Sequence, residues 1–152
     1  MVSFGYVKQN GLMKHNHYDR YNGRVNLTTE LAKNLTLTTR LGGVVSKRSE
    51  PSTPGGMDSA GFKAFSSNAL RFPGLWATKL EDGSYGLGPK VLGTPLAWLD
   101  SGSFYDENFD KFRSNVELAF TPVKGLTLKA IGGYNYTGQQ IRHYRSAMEI
   151  TG

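Results

Sequence analysis

The residues with the most evident chemistry are His15, Asn16 and His17, with Asp19 two positions later. Imidazole and carboxylate groups are common ligands of divalent metals, so the tripeptide HNH suggests a metal site or a nuclease. In nucleases of that name, however, the three letters stand for dispersed residues in a ββα-metal unit, and short motifs often match by chance. We therefore expect a polar loop at these positions and no metal site.

A second candidate is the acidic stretch DENFD, from Asp106 to Asp110. Its oxygens could hold calcium, but the glycine-spaced ligand pattern of a dedicated calcium loop is missing, so we expect a solvated acidic turn. The glycine-rich stretch around Gly55 lacks the lysine of a phosphate-binding loop. Nothing in the sequence thus indicates catalysis, and we expect a protein that is not an enzyme and has no cofactor.

Composition indicates what kind of fold must position any functional residue. The chain has 152 residues, of which 38% are hydrophobic and 12% aromatic, too many for a disordered protein. It has no cysteine, and therefore neither a disulfide framework nor a thiolate metal site. Mean hydropathy is -0.41, and no apolar run is as long as a membrane helix, although alternating membrane strands would not form such runs. The net charge of +6 is scattered, so we expect no nucleic-acid surface.

Apolar residues recur at every second position in five stretches, which is the period of a strand and not of a helix. The pentapeptides KNLTL, at 33–37, and KGLTL, at 124–128, are nearly identical and lie between paired stretches. Asn34 and Gly125 are residue types that readily adopt a positive φ, so we expect a tight hairpin turn at each. The sequence predicts an all-β fold, an antiparallel meander whose five strands cover about residues 2–9, 20–31, 34–47, 111–121 and 125–137.

Strand length and loop length both indicate a membrane β-barrel. The predicted strands have about ten or more residues, whereas strands of soluble sheets have about 5–6. A strand of about ten residues tilted by about 40° rises roughly 25 Å, the height of the apolar band of an outer-membrane barrel. The links at one rim are short, but one loop spans about residues 49–110 at the other rim. In this loop we expect a short helix from about Ser59 to Leu70 and turns at RFPG, EDGS and GTP.

The segments DRYNGRVNLTTELAKNLTLTTRLGG and KFRSNVELAFTPVKGLTLKAIGGYNY resemble the barrel hairpins of SusC/RagA-type TonB-linked outer-membrane transporters. The stretch RFPGLW…EDGSYGLG…TPLAWLDSG resembles the proline-rich extracellular loop between those hairpins. The order of strand, R-x-N hairpin, long loop and R-x-N hairpin covers nearly the whole chain. The resemblance implies a segment of a transmembrane β-barrel in the outer membrane of a Gram-negative, Bacteroidota-like bacterium.

The resemblance also implies a function. Transporters of this family import glycans or peptides with energy delivered through TonB, and a SusD-like surface lipoprotein usually covers them. This sequence shows no signal peptide, plug, TonB-contacting segment or aromatic C-terminal strand, and five strands are fewer than the eight of the smallest closed barrels. We therefore expect an internal barrel fragment. The intact protein would have a glycan or peptide substrate, a SusD-like lid, TonB and outer-membrane lipid as partners.

The alternation assigns two faces to the predicted strands. Apolar residues should face lipid, and Thr38 and Glu117 should face the lumen. The residues expected to face lipid are Val25, Leu27, Leu35, Leu37, Leu41, Val116, Leu118, Leu126 and Leu128. The residues expected to form aromatic girdles at the strand ends are Tyr21, Phe112, Phe120, Tyr134 and Tyr136.

Aromatic residues of the long loop are the candidate contacts with substrate or lid. Trp76 follows the FPGL turn and is expected to pack within the loop, whereas Trp98 is the better candidate for a contact outside it. Tyr85 and Tyr105 complete this set. The alternative is a soluble β-sheet module that binds carbohydrate, with Trp76, Tyr85 and Trp98 as stacking platforms.

Overall fold

The computed structural model describes residues 1–52, 62–87 and 93–147. Within them the chain forms one five-stranded sheet in the order β1-β2-β3-β4-β5, so each strand pairs with its neighbour in sequence. The strands are β1 (Val2–Asn10), β2 (His17–Ala32), β3 (Leu35–Pro51), β4 (Phe104–Val123) and β5 (Leu126–Tyr144). Between β3 and β4 lie two short helices, α1 (Phe62–Arg71) and α2 (Pro95–Asp100). The expected all-β fold, an antiparallel meander, is confirmed.

The strands are longer than the alternation of apolar residues suggests. Strands β2, β3, β4 and β5 have 16, 17, 20 and 19 residues, respectively. The connection between β3 and β4 is therefore shorter than the predicted loop of residues 49–110. Ser49 lies in β3, which ends at Pro51, and residues 104–110 lie in β4. The expected acidic turn is therefore wrong. Cross-strand polar contacts extend this part of the sheet: Ser49 Oγ donates to Asp106 Oδ1 at 2.6 Å, and Arg48 Nη2 lies 2.7 Å from Glu107 Oε2.

The helices follow local sequence signals. The expected helix from about Ser59 to Leu70 appears as α1, and its first three expected residues lie outside the described residues. At GTP the structure begins α2 and not a further turn. Thr94 is its N-cap and accepts a hydrogen bond from the Ala97 amide at 3.2 Å, and Pro95 occupies the first turn, where its missing N–H costs nothing. Neither described helix has the length and apolar content needed to cross a membrane.

The chain divides into two compact units. The first, called here the strand unit, comprises Met1–Lys8, Asp19–Lys47 and Asn108–Gln140. The second, the loop unit, comprises Gln9–Tyr18, Arg48–Glu107 and Ile141–Gly152. The buried hydrophobic residues of the described chain, Phe65, Ala97 and Trp98, all belong to the loop unit. The strand unit has no apolar core of its own among the described residues, so cross-strand contacts and backbone pairing hold it together.

Two-residue turns close both expected hairpins. Lys33 and Asn34 separate β2 from β3, and Lys124 and Gly125 separate β4 from β5. Gly125 has φ 90, as expected, but Asn34 does not have a positive φ, since His15 is the only non-glycine residue described with one. The Asn34 carbonyl accepts a hydrogen bond from the Thr121 amide of β4 at 2.8 Å, so the neighbouring strand fixes this corner. The two similar pentapeptides thus turn with different backbone geometry.

The strand unit has two chemically different faces. On one, the polar face, the hydroxyls of Thr28 and Thr38 lie 3.5 Å apart across β2 and β3. On the other, the apolar face, the rings of Tyr6 and Tyr21 stack with their centroids 4.7 Å apart. Successive side chains of a strand point to opposite faces, so Leu37 and Thr38 lie on different sides of the sheet. The alternation read from the sequence therefore describes the side-chain directions.

Candidate functional site

An ion ladder crosses three strands on the polar face. Arg40 Nη1 of β3 lies 3.6 Å from Glu117 Oε2 and donates to Asn115 Oδ1 at 3.4 Å, both in β4. Lys129 Nζ of β5 lies 3.3 Å from Glu117 Oε1. Each oxygen of the Glu117 carboxylate thus faces a cation of a different neighbouring strand. Opposite charges across adjacent strands favour this pairing.

Beside the ladder is a depression of about 410 Å³. Four strands line it, through Arg24, Asn26, Arg40, Leu41, Gly42, Arg113, Ser114, Asn115, Gly133 and Asn135. The glycines create the space, because a Cβ atom at Gly42 would approach nothing closer than the Gly23 carbonyl oxygen at 4.0 Å. A Cβ atom at Gly133 would lie 3.5 Å from the Ser114 carbonyl oxygen. Missing side chains on β3 and β5 therefore leave a hollow that longer polar side chains surround.

A second depression, of about 470 Å³, continues along the same face. Its lining residues are Ser3, Arg20, Asn22, Gly23, Arg24, Gly42, Gly43, Val44, Lys111 and Arg113. Arg24, Gly42 and Arg113 border both depressions. Neither lining set contains an aspartate or a glutamate, so both hollows have a positive rim. We refer to them together as the basic hollow.

No sequence pattern predicts a site at these residues. The two R-x-N segments, Arg24 to Asn26 and Arg113 to Asn115, carry part of the family resemblance, but neither was predicted to bind anything. Residues two positions apart on a strand share a face, so each segment presents a guanidinium and an amide to the same side. The R-x-N spacing is thus the sequence signal that indicates a shared polar face. The meander places both segments around one hollow, which no local pattern could reveal.

The residues expected to face lipid, and those expected to form girdles, all lie in the strand unit and none is buried. Leu128 is 55% exposed and Tyr134 is 61% exposed. The remaining members are Val25, Leu27, Leu35, Leu37, Leu41, Val116, Leu118, Leu126, Tyr21, Phe112, Phe120 and Tyr136. An apolar face of this extent on a chain in water would be an aggregation site. The direction in which it faces in a membrane stays a prediction.

The two tryptophans of the loop unit differ from expectation in how far their side chains are exposed. Trp98, expected to reach outside the loop, is only 1% exposed and lies in α2. Trp76, expected to pack within the loop, is 47% exposed. The Thr94 cap starts α2 so that its middle residues, Ala97 and Trp98, point inward. Trp98 therefore offers no surface for a substrate or lid contact, and Trp76 is the tryptophan that does.

Tyr85 belongs to a polar network of the loop unit. Its hydroxyl donates to Asp100 Oδ2 at 2.9 Å, while Lys14 Nζ donates to Asp100 Oδ1 at 2.9 Å. The Lys14 ammonium, and then the Tyr85 hydroxyl, hold the pKa of the Asp100 carboxyl below its usual value. The ammonium of Lys79 lies 5.1 Å from the centre of the Tyr85 ring. One edge and one face of Tyr85 are thus engaged within the unit.

Tyr105 and the buried serines form another cluster of the loop unit. The Tyr105 ring meets His143 edge-on with the ring centres 6.0 Å apart. Ser52 Oγ is hydrogen-bonded to His143 Nε2. A serine beside a histidine is the arrangement of a nucleophile and its general base, but Ser52 is fully buried. Its amide also donates to the Ser103 carbonyl at 3.2 Å, so we assign the pair to joining strand ends.

His15 and Asn16 of the HNH tripeptide lie in the link between β1 and β2, and His17 is the first residue of β2. His15 has φ 61, and the Gly11 amide donates to the Asn16 carbonyl at 2.7 Å, which closes the link. In the part of the chain that the structure describes, no three histidine, cysteine or acidic side chains converge as a metal site would require. Tight local hydrogen bonding therefore accounts for the conformation of this segment.

No family model matches the chain, and no curated protein is significantly similar to it.

Proposed function

We propose that this chain is a β-barrel segment of an outer-membrane nutrient importer of the SusC kind, which acts by binding and passage and not by bond chemistry. The observation that carries the proposal is the contrast between the two faces of the strand unit. Exposed leucines and aromatic residues cover one face, and charged residues with a hollow occupy the other. A barrel in a membrane needs this distribution, with lipid outside and solute inside.

Strand length supports the same proposal. Four of the strands have 16 to 20 residues, well above the roughly 9–11 that a tilted strand needs to cross a bilayer. In this proposal the long connection between β3 and β4 is extracellular, as the family resemblance implies. Exposed Trp76 is then the candidate contact with a SusD-like lid or with a glycan or peptide substrate. TonB would act through segments outside this chain.

The soluble carbohydrate-binding module is the competing proposal. It would use Trp76, Tyr85 and Trp98 as stacking platforms, but the Trp98 ring is buried. It also requires a cover for the apolar face, since leucines such as Leu128 would otherwise contact water. We therefore favour the importer segment.

Site-directed labelling tests which face borders lipid. Because the chain has no cysteine, the variants Leu128→Cys and Thr127→Cys each carry one thiol for a fluorescent label. We expect brominated acyl chains to quench the label at position 128 strongly and the label at position 127 weakly, because adjacent residues lie on opposite faces. Aqueous iodide should show the reverse order. Equal iodide quenching at both positions, in a chain that stays monomeric without lipid, would favour the soluble module.

A further inference from the structure

We infer that the basic hollow binds a hydroxylated organic anion, such as a uronic acid or a sugar phosphate. The positive rim is the first observation. Among the described residues, Arg24 and Arg113 take part in no ion pair, whereas Arg40 is paired with Glu117. Guanidinium groups match the geometry of carboxylate and phosphate and bind them through two parallel hydrogen bonds. Two guanidinium groups that have no carboxylate partner in the described part of the chain thus border the same hollow.

The other polar side chains of the hollow suit a ligand with hydroxyl groups. Asn26, Asn115 and Asn135 each bring an amide to the lining. The oxygen of Asn115 accepts from Arg40, which leaves its nitrogen to donate. An amide can donate to and accept from hydroxyl groups, so three amides around one hollow provide several such contacts.

Size and lining narrow the ligand class further. Volumes of about 410 and 470 Å³ fall within the range of small-molecule sites, roughly 300–1,000 Å³. Neither lining set includes an aromatic residue, so the hollow offers no aromatic platform on which a planar base or ring would stack. A compact anion that relies on hydrogen bonds fits this lining. Its role in uptake rests on the proposed function, whereas the binding itself does not.

Titration calorimetry on the full chain, folded in zwitterionic detergent micelles, tests the inference. The probes are galacturonate, glucose 6-phosphate, inorganic phosphate and, as the neutral control, glucose. We expect galacturonate or glucose 6-phosphate to bind, and to bind more tightly than inorganic phosphate, which lacks the hydroxyl groups. The better of the two identifies carboxylate or phosphate as the preferred anion. We expect no measurable heat with glucose.

Three variants locate the binding. Arg113→Gln should weaken it at least about tenfold, since a hydrogen bond to a charged group contributes that much or more. Gly42→Leu should also weaken it, because it fills the hollow and keeps every charge. Arg142→Gln removes an exposed arginine outside both lining sets and should change nothing.

Three results would overturn the inference. They are the absence of binding by any of the three anions, an unchanged affinity in both Arg113→Gln and Gly42→Leu, and binding of glucose as tight as that of galacturonate. These failures are separate from failure of the proposed function. If the label at position 128 lies in lipid but the folded chain binds no anion, only the inference that the basic hollow binds an anion is contradicted. An anion-binding chain with both labels in water contradicts only the membrane orientation.

Discussion

At the level of single residues, the face of the sheet on which a side chain lies determines how much its replacement by a charged residue costs in folding free energy. Leu37 and Thr38 are neighbours in β3 and differ in face, since the Thr38 hydroxyl meets Thr28 across the polar face. With the chain folded in phosphatidylcholine vesicles, we expect Leu37→Arg to cost about 2–4 kcal/mol of folding free energy, because it places a charge among acyl chains. Thr38→Arg should cost far less. Unfolding of both variants by guanidinium chloride measures the difference in the free energy of unfolding.

The measurement has a clear opposite outcome. If Thr38→Arg is the more damaging substitution, the polar face is the one that meets lipid. If neither variant differs from the original chain, the strands do not lie in the bilayer at all.

Trp98 is expected to stabilise the loop unit. Its ring is 1% exposed, and replacing a buried tryptophan by alanine costs about 3–5 kcal/mol through lost contacts and the cavity left behind. In detergent micelles, Trp98→Ala should therefore make the loop unit more sensitive to limited proteolysis and reduce the near-ultraviolet circular dichroism.

Trp76→Ala is the matched control, because its ring is 47% exposed. It should leave the protease sensitivity of the loop unit unchanged. Similar cleavage of the two variants would mean that Trp98 does not pack as the structure shows.

The two tryptophans also show what the sequence can and cannot tell. Local signals placed each in the loop, and the FPGL turn before Trp76 is present, with the Trp76 amide donating to the Pro73 carbonyl at 3.2 Å. Which ring is buried depends on how α2 packs, and that is set by contacts distant in sequence. The arginines of the basic hollow were missed for the same reason. Their spacing indicated a shared face, but only the strand order brings Arg24 close to Arg113.

At the level of elements, the two hairpins should respond differently to the same change. Gly125 has φ 90, a left-handed conformation that costs a residue with a Cβ atom roughly 1–2 kcal/mol. Asn34 does not have a positive φ. Gly125→Ala should therefore lower the free energy of unfolding by about 1–2 kcal/mol, and Asn34→Ala by less than about 0.5 kcal/mol. Denaturant titration of the two variants under one condition tests this.

Equal losses in the two variants would show that both corners need a left-handed residue, as their similar pentapeptides suggest. The difference could not be predicted from the sequence, because Asn and Gly both favour such corners. The existence of the strands could be predicted from the sequence, since period-two alternation leaves a sheet as the only way to form an apolar face. The positions at which the strands end could not be predicted. Beyond the apolar residues, β3 and β4 are extended by polar pairs such as Ser49 with Asp106, which alternation does not show.

For the whole molecule, the exposed apolar face predicts behaviour in solution. Residues such as Phe4, at 75% exposed, and Leu128 would contact water, and strands β1 and β5 each have one unpaired edge in the sheet. Exposed apolar surface together with an open strand edge promotes association. Expressed alone, the chain should be insoluble in buffer and should become monodisperse and β-structured in detergent. Size-exclusion chromatography with circular dichroism tests this, and a cooperatively melting monomer in plain buffer would contradict it.

The ion ladder disfavours shifted alignments of β4 on β3 while the sheet assembles. Glu117 supplies the carboxylate for both Arg40 and Lys129. A slip of β4 by one residue would put Val116 or Leu118 at that place, and a slip by two would put Asn115 or Ala119 there. None of the four carries a negative charge, so each of these shifts of β4 along β3 leaves Arg40 without its carboxylate partner, whereas Lys129 moves with β4 because only Lys124 and Gly125 join β4 to β5. Glu117 thus favours the observed alignment of β4 on β3 over alignments shifted by one or two residues.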